Sequence, residues 1–160
     1  MEEETITILE PTEEVFAKAF FYLNFLKEIL PKAKITLIGS LAIPVCIKNE
    51  IDILVEIEED EDILKVQEKI RDENQDLFRI GPIVNGEGYS RTKKKHGIIC
   101  ELHILHRGDD RIEKYIRQIE QFKSNPELAK KYGDLKRSLD GYKSSEYKKA
   151  KNEFMKENGF

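Results

Sequence analysis

Two apolar runs, Ile35-Thr36-Leu37-Ile38 and Ile51-Asp52-Ile53-Leu54-Val55, are joined by a Gly39-Ser40 pair and a ten-residue step to Glu50. The pattern predicts strand, tight turn, loop and second strand. Side chains alternate across a strand, so Glu50 and Asp52 share one face while Ile51, Ile53 and Val55 share the other. One face must meet a core, and the opposite face carries paired carboxylates. Such a pair suits hard divalent cations, which take oxygen ligands. If the Gly39-Ser40 turn opens a helix, its free N–H groups can hold phosphate oxygens. Phosphoryl or nucleotidyl transfer needs both features together.

The rest of the chain supplies cover for that sheet. Pro11-Thr12-Glu13-Glu14 reads as a helix start, with Thr12 as cap and acids at the positive end of the dipole. Val15, Phe16, Ala19, Phe20, Leu23, Leu26 and Leu30 then recur at helical spacing until Pro31. After the second strand, the acidic run Glu58–Asp62 precedes Ile63, Val66 and Ile70, again at helical spacing. That run is a helix entry with no catalytic role. Residues 4–9 alternate weakly and suit a short strand or an extended arm. Gly81-Pro82, Asn85-Gly86 and Gly88 are turn signals, with a short strand expected at Leu77–Ile80. Residues 89–95 and 98–106 form a hairpin with His96-Gly97 at its turn. In the second arm Glu101 and His103 share one face, while Cys100, Leu102 and Ile104 look like the core side. His103 is therefore expected to line a site. Glu101 is either a third carboxylate or an exposed strand residue paired with a lysine. Three helices follow, starting at Asp109 or Asp110, at Asn125-Pro126 and at Ser144-Ser145.

At 160 residues, 39% of them apolar, the chain is expected to be one α+β domain: residues 1–106 the sheet-bearing core and 107–160 a C-terminal helical part. No apolar run reaches the length of a membrane span. The acidic start Met1-Glu2-Glu3-Glu4 is unlike a signal peptide, and Cys46 and Cys100 lack a CxxC spacing. Both observations place the protein in the cytoplasm with reduced thiols. Charge divides along the chain: residues 1–80 hold 19 acids and 9 Lys/Arg, residues 81–160 hold 12 and 18. The lysines of 107–160 read as solvated helix faces. Arg91-Thr92-Lys93-Lys94-Lys95 reads as a patch for an anionic substrate. Overall acidity argues against nonspecific nucleic-acid binding.

The Gly-Ser pair, the ten-residue step and the acid-apolar-acid strand resemble the nucleotidyltransferase superfamily related to DNA polymerase beta. Leu37-Ile38-Gly39-Ser40-Leu41-Ala42-Ile43-Pro44, Lys48 and Ile51-Asp52-Ile53 resemble the GrpB family within it. So do Leu102-His103-Ile104, Asn125-Pro126-Glu127-Leu128-Ala129 and Tyr147-Lys148-Lys149-Ala150-Lys151. Leu41, Val45 and Asn49 stand where the family usually has Thr, Gly and Pro. Glu50 stands where it usually has an apolar residue, which moves this chain towards the active superfamily pattern. Glu101 replaces a usual His, and His103 matches.

The resemblance implies a mixed sheet flanked by helices and a two-Mg²⁺ nucleotidyl transfer. Glu50, Asp52 and Glu101 would hold the ions, with Glu101 also the local base. Gly39 and Ser40 would orient the triphosphate, and Arg91 and Lys95 would neutralise phosphate charge. The partners implied are a nucleoside triphosphate and an acceptor hydroxyl. The alternative is an inactive module of the same fold that binds a nucleotide or phosphorylated ligand.

Overall fold

A computed structural model describes residues 3–74 and 77–160, so the acidic start at Met1-Glu2 lies outside the described residues. The chain forms α1 (Glu13–Ile29), β1 (Lys34–Ile38), β2 (Glu50–Ile57), α2 (Ile63–Asp72), β3 (Phe78–Val84), β4 (Glu87–Thr92), β5 (Ile99–His106), α3 (Asp110–Ser124), α4 (Pro126–Ser138) and α5 (Ser144–Glu157). The five strands make one mixed sheet in the order β1-β2-β5-β4-β3. The central pair β2–β5 is parallel and every other pair is antiparallel. No helix among the described residues is long and apolar enough to cross a membrane.

The apolar face of the sheet is closed by α1 and α2. Thr12 Oγ1 accepts the Val15 N–H to start α1, and Asp62, last of the acidic run, accepts the Lys65 N–H to start α2. Their buried stripes (Ala19, Leu23 and Leu26 on α1; Val66 and Ile70 on α2) pack against Ile51, Ile53, Val55, Cys100, Leu102 and Ile104. These residues hold the two central strands in register, and that register places the carboxylates opposite. Both cysteines are buried free thiols.

Long-range packing decides three features that the local pattern misread or left open. β3 runs straight through Gly81-Pro82, where turn signals suggested a break. It is an edge strand, so Pro82 needs no ladder partner on its outer side, and a register shift between Ile80 and Ile83 absorbs the irregularity. The turn comes later at Asn85-Gly86, both at positive φ, which closes a two-residue hairpin. Residues 4–9 form an extended arm, held by isolated bridges Thr5↔Lys143 and Leu9↔Ile47. Finally, helices cover both faces of the sheet. α3 lies over the far half of the carboxylate face, where Ile112, Tyr115 and Ile119 pack on Ile38, Leu54 and Leu105.

α4 and α5 dock on the loop between β1 and β2 rather than on the sheet. Ile43 and Val45 of that loop pack with Phe122 of α3 and Tyr132 of α4. The Phe122 and Tyr132 rings stack with centroids 5.0 Å apart, and Phe154 of α5 stacks on Tyr132 at 5.5 Å. This aromatic column fixes α4 over the Gly39-Ser40 turn. Phe122→Ala opens a cavity in it, with an expected cost of about 3–5 kcal/mol, measurable by urea unfolding.

Candidate functional site

The parallel β2–β5 register sets Asp52 directly beside Glu101, and Glu50 lies two residues back on the same face. Glu50, Asp52 and Glu101 each contribute a carboxylate oxygen, and these oxygens lie within 4.8 Å of one another. Their side chains keep only 15%, 30% and 18% of their surface in contact with solvent. Three half-buried acids this close repel one another. Glu50 shows the strain: burial, then a hydrogen bond to Glu101 and the charges of Asp52 and Glu101, push its pKa up to about 8.

The protein itself neutralises part of this charge. Arg91 places Nη2 3.4 Å from Glu50 and Nε 3.8 Å from Glu101, and Lys48 Nζ lies 3.7 Å from Glu50. His103 Nε2 meets Asp52 Oδ1 at 3.2 Å. Behind His103, the Tyr115 hydroxyl donates to Glu87 Oε2 at 2.9 Å and lies 3.3 Å from His103 Nδ1. The Tyr89 hydroxyl donates to the other oxygen of Glu87. Tyr115 has a single proton, given to Glu87, so its oxygen accepts the Nδ1–H of His103. His103 Nε2 then faces Asp52, to which the positively charged ring can donate. Burial works against that charge, but the hydrogen bond to Asp52 and the surrounding carboxylates hold the His103 pKa above its ordinary value. His103 thus stands beside the acids, hydrogen-bonded to Asp52.

The turn before the acids is built around Asp52. Gly39 sits at φ 72° and ψ −160°, a region open essentially to glycine. A Cβ there would lie 2.7 Å from Asp52 Oδ2. Ser40 begins a one-turn 3-10 helix (Ser40–Ala42), but its side chain makes no cap. Its Oγ instead accepts a hydrogen bond from Lys136 Nζ at 2.5 Å. Leu41 and Val45 are buried in apolar clusters.

Lys136 is the site residue that reading the sequence missed. It was expected on a solvated face, yet it is 2% exposed. Its Nζ lies 5.0 Å from the centre of the Tyr132 ring, and it forms no ion pair with a carboxylate among the described residues. Burial first, then the neighbouring charge of Lys151, lowers its pKa to about 7. The signal was present: Lys136 lies four residues after Tyr132 and three before Leu139, at helical spacing between two apolar side chains. A cavity of about 220 Å³ joins Ser40, the three acids, Lys48, Lys136 and Lys151. Arg91 meets the acids from the other side, whereas Lys95 is exposed and faces an adjoining groove. The chemistry available is a carboxylate cluster able to hold divalent cations beside a cationic pocket able to hold phosphates.

Two substitutions probe this geometry. Gly39→Ala forces the backbone out of its conformation and drives Asp52 away, with an expected loss of about 1–3 kcal/mol in urea unfolding and weaker Mn²⁺ binding. Glu50→Gln acts through pH. Between the ordinary carboxyl value of 4.5 and about 8, folded Glu50 keeps a proton that the unfolded chain has released. Wild-type stability therefore falls as pH rises across that window. Without divalent cations, Glu50→Gln is expected to melt several degrees higher at pH 8, the gain shrinking to nothing near pH 4.5. Melting curves across this range check it.

A family model described as GrpB protein matches residues 5–158. No curated protein matches the chain. Among solved structures, the conserved protein GrpB from Enterococcus faecalis superposes with a TM-score of 0.71 at 23% identity, over 94% of this chain and 98% of that one. The Cid1 poly(U) polymerase bound to Mg 3'-dATP superposes at 0.58 with 15% identity, over 79% of this chain and 40% of that one. A cytoplasmic RNA terminal U-transferase gives 0.57 at 19% identity, over 79% and 38%. This chain thus spans about two-fifths of those transferases' length, and the likeness is one of fold: a mixed sheet of nucleotidyltransferase type flanked by helices. With nearly its whole length matched, the chain belongs to the GrpB family.

Proposed function

We propose that this protein is a metal-dependent nucleotidyltransferase that moves a nucleoside monophosphate from a triphosphate to a hydroxyl acceptor. The observation that carries the reading is the convergence of Glu50, Asp52 and Glu101 within 4.8 Å beside a buried lysine that has no carboxylate partner among the described residues. Carboxylates that repel call for cations, and a desolvated ammonium calls for an anion. A triphosphate with its cations answers both at once. The Mg²⁺-bound neighbour, Cid1 poly(U) polymerase, uses the same fold.

Glu50, Asp52 and Glu101 fit Mg²⁺, which bound there would neutralise developing phosphate charge and lower the pKa of a ligated hydroxyl. Lys136 and Ser40 hold the triphosphate tail, with Lys151 and Lys48 at the cavity edge. His103 keeps Asp52 aimed at the ligand. Glu101 takes the proton of the acceptor hydroxyl. The acceptor oxygen bonds to the α-phosphorus, the bond from that phosphorus to the β-bridging oxygen breaks, and pyrophosphate departs. The residues contribute position and electrostatics, which are what this reaction needs. The buried free thiols fit a reducing compartment, and the reading places the protein in the cytoplasm.

One observation favours the inactive binding module as a second reading. Arg91 and Lys48 already sit against Glu50 and Glu101, as protein cations do where no metal is needed. Titration of ATP, GTP, CTP and UTP with and without Mg²⁺, read by thermal shift, separates the two. The transferase reading expects a Mg²⁺-dependent rise in melting temperature with at least one nucleotide, lost in Glu50→Gln/Asp52→Asn. Lys136→Met is expected to weaken that nucleotide by about tenfold or more. A nucleotide shift indifferent to Mg²⁺ and to the acids points to the binding module.

A further inference from the structure

A row of four charged side chains crosses the sheet on the carboxylate face. Asp52 of β2 pairs with Glu101 of β5, Glu101 with Arg91 of β4, and Arg91 with Arg79 of β3. Neighbouring strands lie about 4.8 Å apart, so the row runs roughly 14 Å from the carboxylate centre to the sheet edge. Its sign changes once, from two acids to two guanidiniums.

The fold gains nothing from the outermost member of this row, Arg79. Like charges set opposite one another on adjacent strands destabilise a sheet. Arg79 is exposed and has no carboxylate partner among the described residues. Lys93 and Lys95 likewise form no ion pair among the described residues. All four cations line a groove of about 1470 Å³ that adjoins the carboxylate cavity and shares Lys48 and Glu50 with it. Arg91 is the link between the two. It now spans Glu50 and Glu101, and cations held by those acids would take over the charge it balances and free its guanidinium for the groove.

We infer that this groove receives the acceptor, and that the acceptor carries a phosphate one or two strand spacings, roughly 5–10 Å, from its reacting hydroxyl. The inference rests on the transferase reading for the identity of the reaction centre. Paired guanidiniums match phosphate oxygens in planar, two-pronged geometry, which ammonium groups alone do not. They also repel a cationic acceptor such as an amine. Arg79 and Arg91 clamp the phosphate, Lys93 and Lys95 supply the surrounding field, and the hydroxyl is presented at Glu101.

The test uses the full chain and calorimetric titration with two probe pairs: adenosine 5′-monophosphate against adenosine, and glycerol 3-phosphate against glycerol. The expected result is that the phosphorylated member of at least one pair binds about tenfold or more tightly than its partner. Arg79→Glu abolishes that difference, and Arg79→Lys retains part of it. Discrimination in the adenosine pair alone identifies a nucleotide acceptor, and discrimination in the glycerol pair as well identifies phosphate itself. Either outcome supports the inference. Equal binding within both pairs, or discrimination untouched by Arg79→Glu, overturns it. Mg²⁺-dependent ATP binding by the wild type in the same buffer keeps the readings apart. Its loss with phosphate discrimination intact overturns the transferase reading and not the groove. ATP binding without phosphate discrimination overturns the groove alone.

Discussion

The parallel pairing of β2 with β5 is the contact on which the rest depends. On one face it joins Ile51, Ile53 and Val55 to Cys100, Leu102 and Ile104 in the main core. On the other it sets Asp52 against Glu101 with Glu50 close by. The apolar face stabilises a register that the charged face opposes. A slip of one residue would send the acids into the core, so burial on one side fixes the carboxylate geometry on the other. The helices α1 and α2 act on the site only through this register.

The site contains several groups whose charge or backbone the fold does not favour. Glu50 holds its proton to about pH 8, and Lys136 sits buried with its pKa lowered to about 7. Gly39 occupies backbone space closed to other residues so that Asp52 can approach it. Perturbed groups of opposite charge gathered around one cavity are what a binding site looks like when its ligand supplies the missing counter-charges. The His103–Tyr115–Glu87–Tyr89 chain contrasts with them: its hydrogen bonds are satisfied in sequence, and it serves as scaffold for Asp52.

What the sequence made legible followed from local periodicity. Period-two alternation placed Glu50 and Asp52 on one face and separated His103 from Cys100, and cap residues Thr12, Asp109 and Asn125 marked helix starts where the structure has them. What it hid depends on long-range register. Nothing near Arg79 says that it stands opposite Arg91, and nothing near Lys136 says that Ser40 is its partner, 96 residues away in sequence. Pro82 misled because an edge strand tolerates what a central strand does not, and edge position is a property of the whole sheet. Lys136 was hidden by its residue type, since a lysine on a helix is ordinarily solvated and only its spacing from Tyr132 and Leu139 argued otherwise.

The most direct measurement is a crystal structure of the protein grown with Mn²⁺ and a non-hydrolysable nucleoside triphosphate, with anomalous scattering recorded at the manganese edge. The account predicts anomalous density bridging Glu50, Asp52 and Glu101, phosphate oxygens at Lys136 and Ser40, and Arg91 released from Glu50. Anomalous density absent from the three carboxylates, with Arg91 still spanning Glu50 and Glu101, would contradict it.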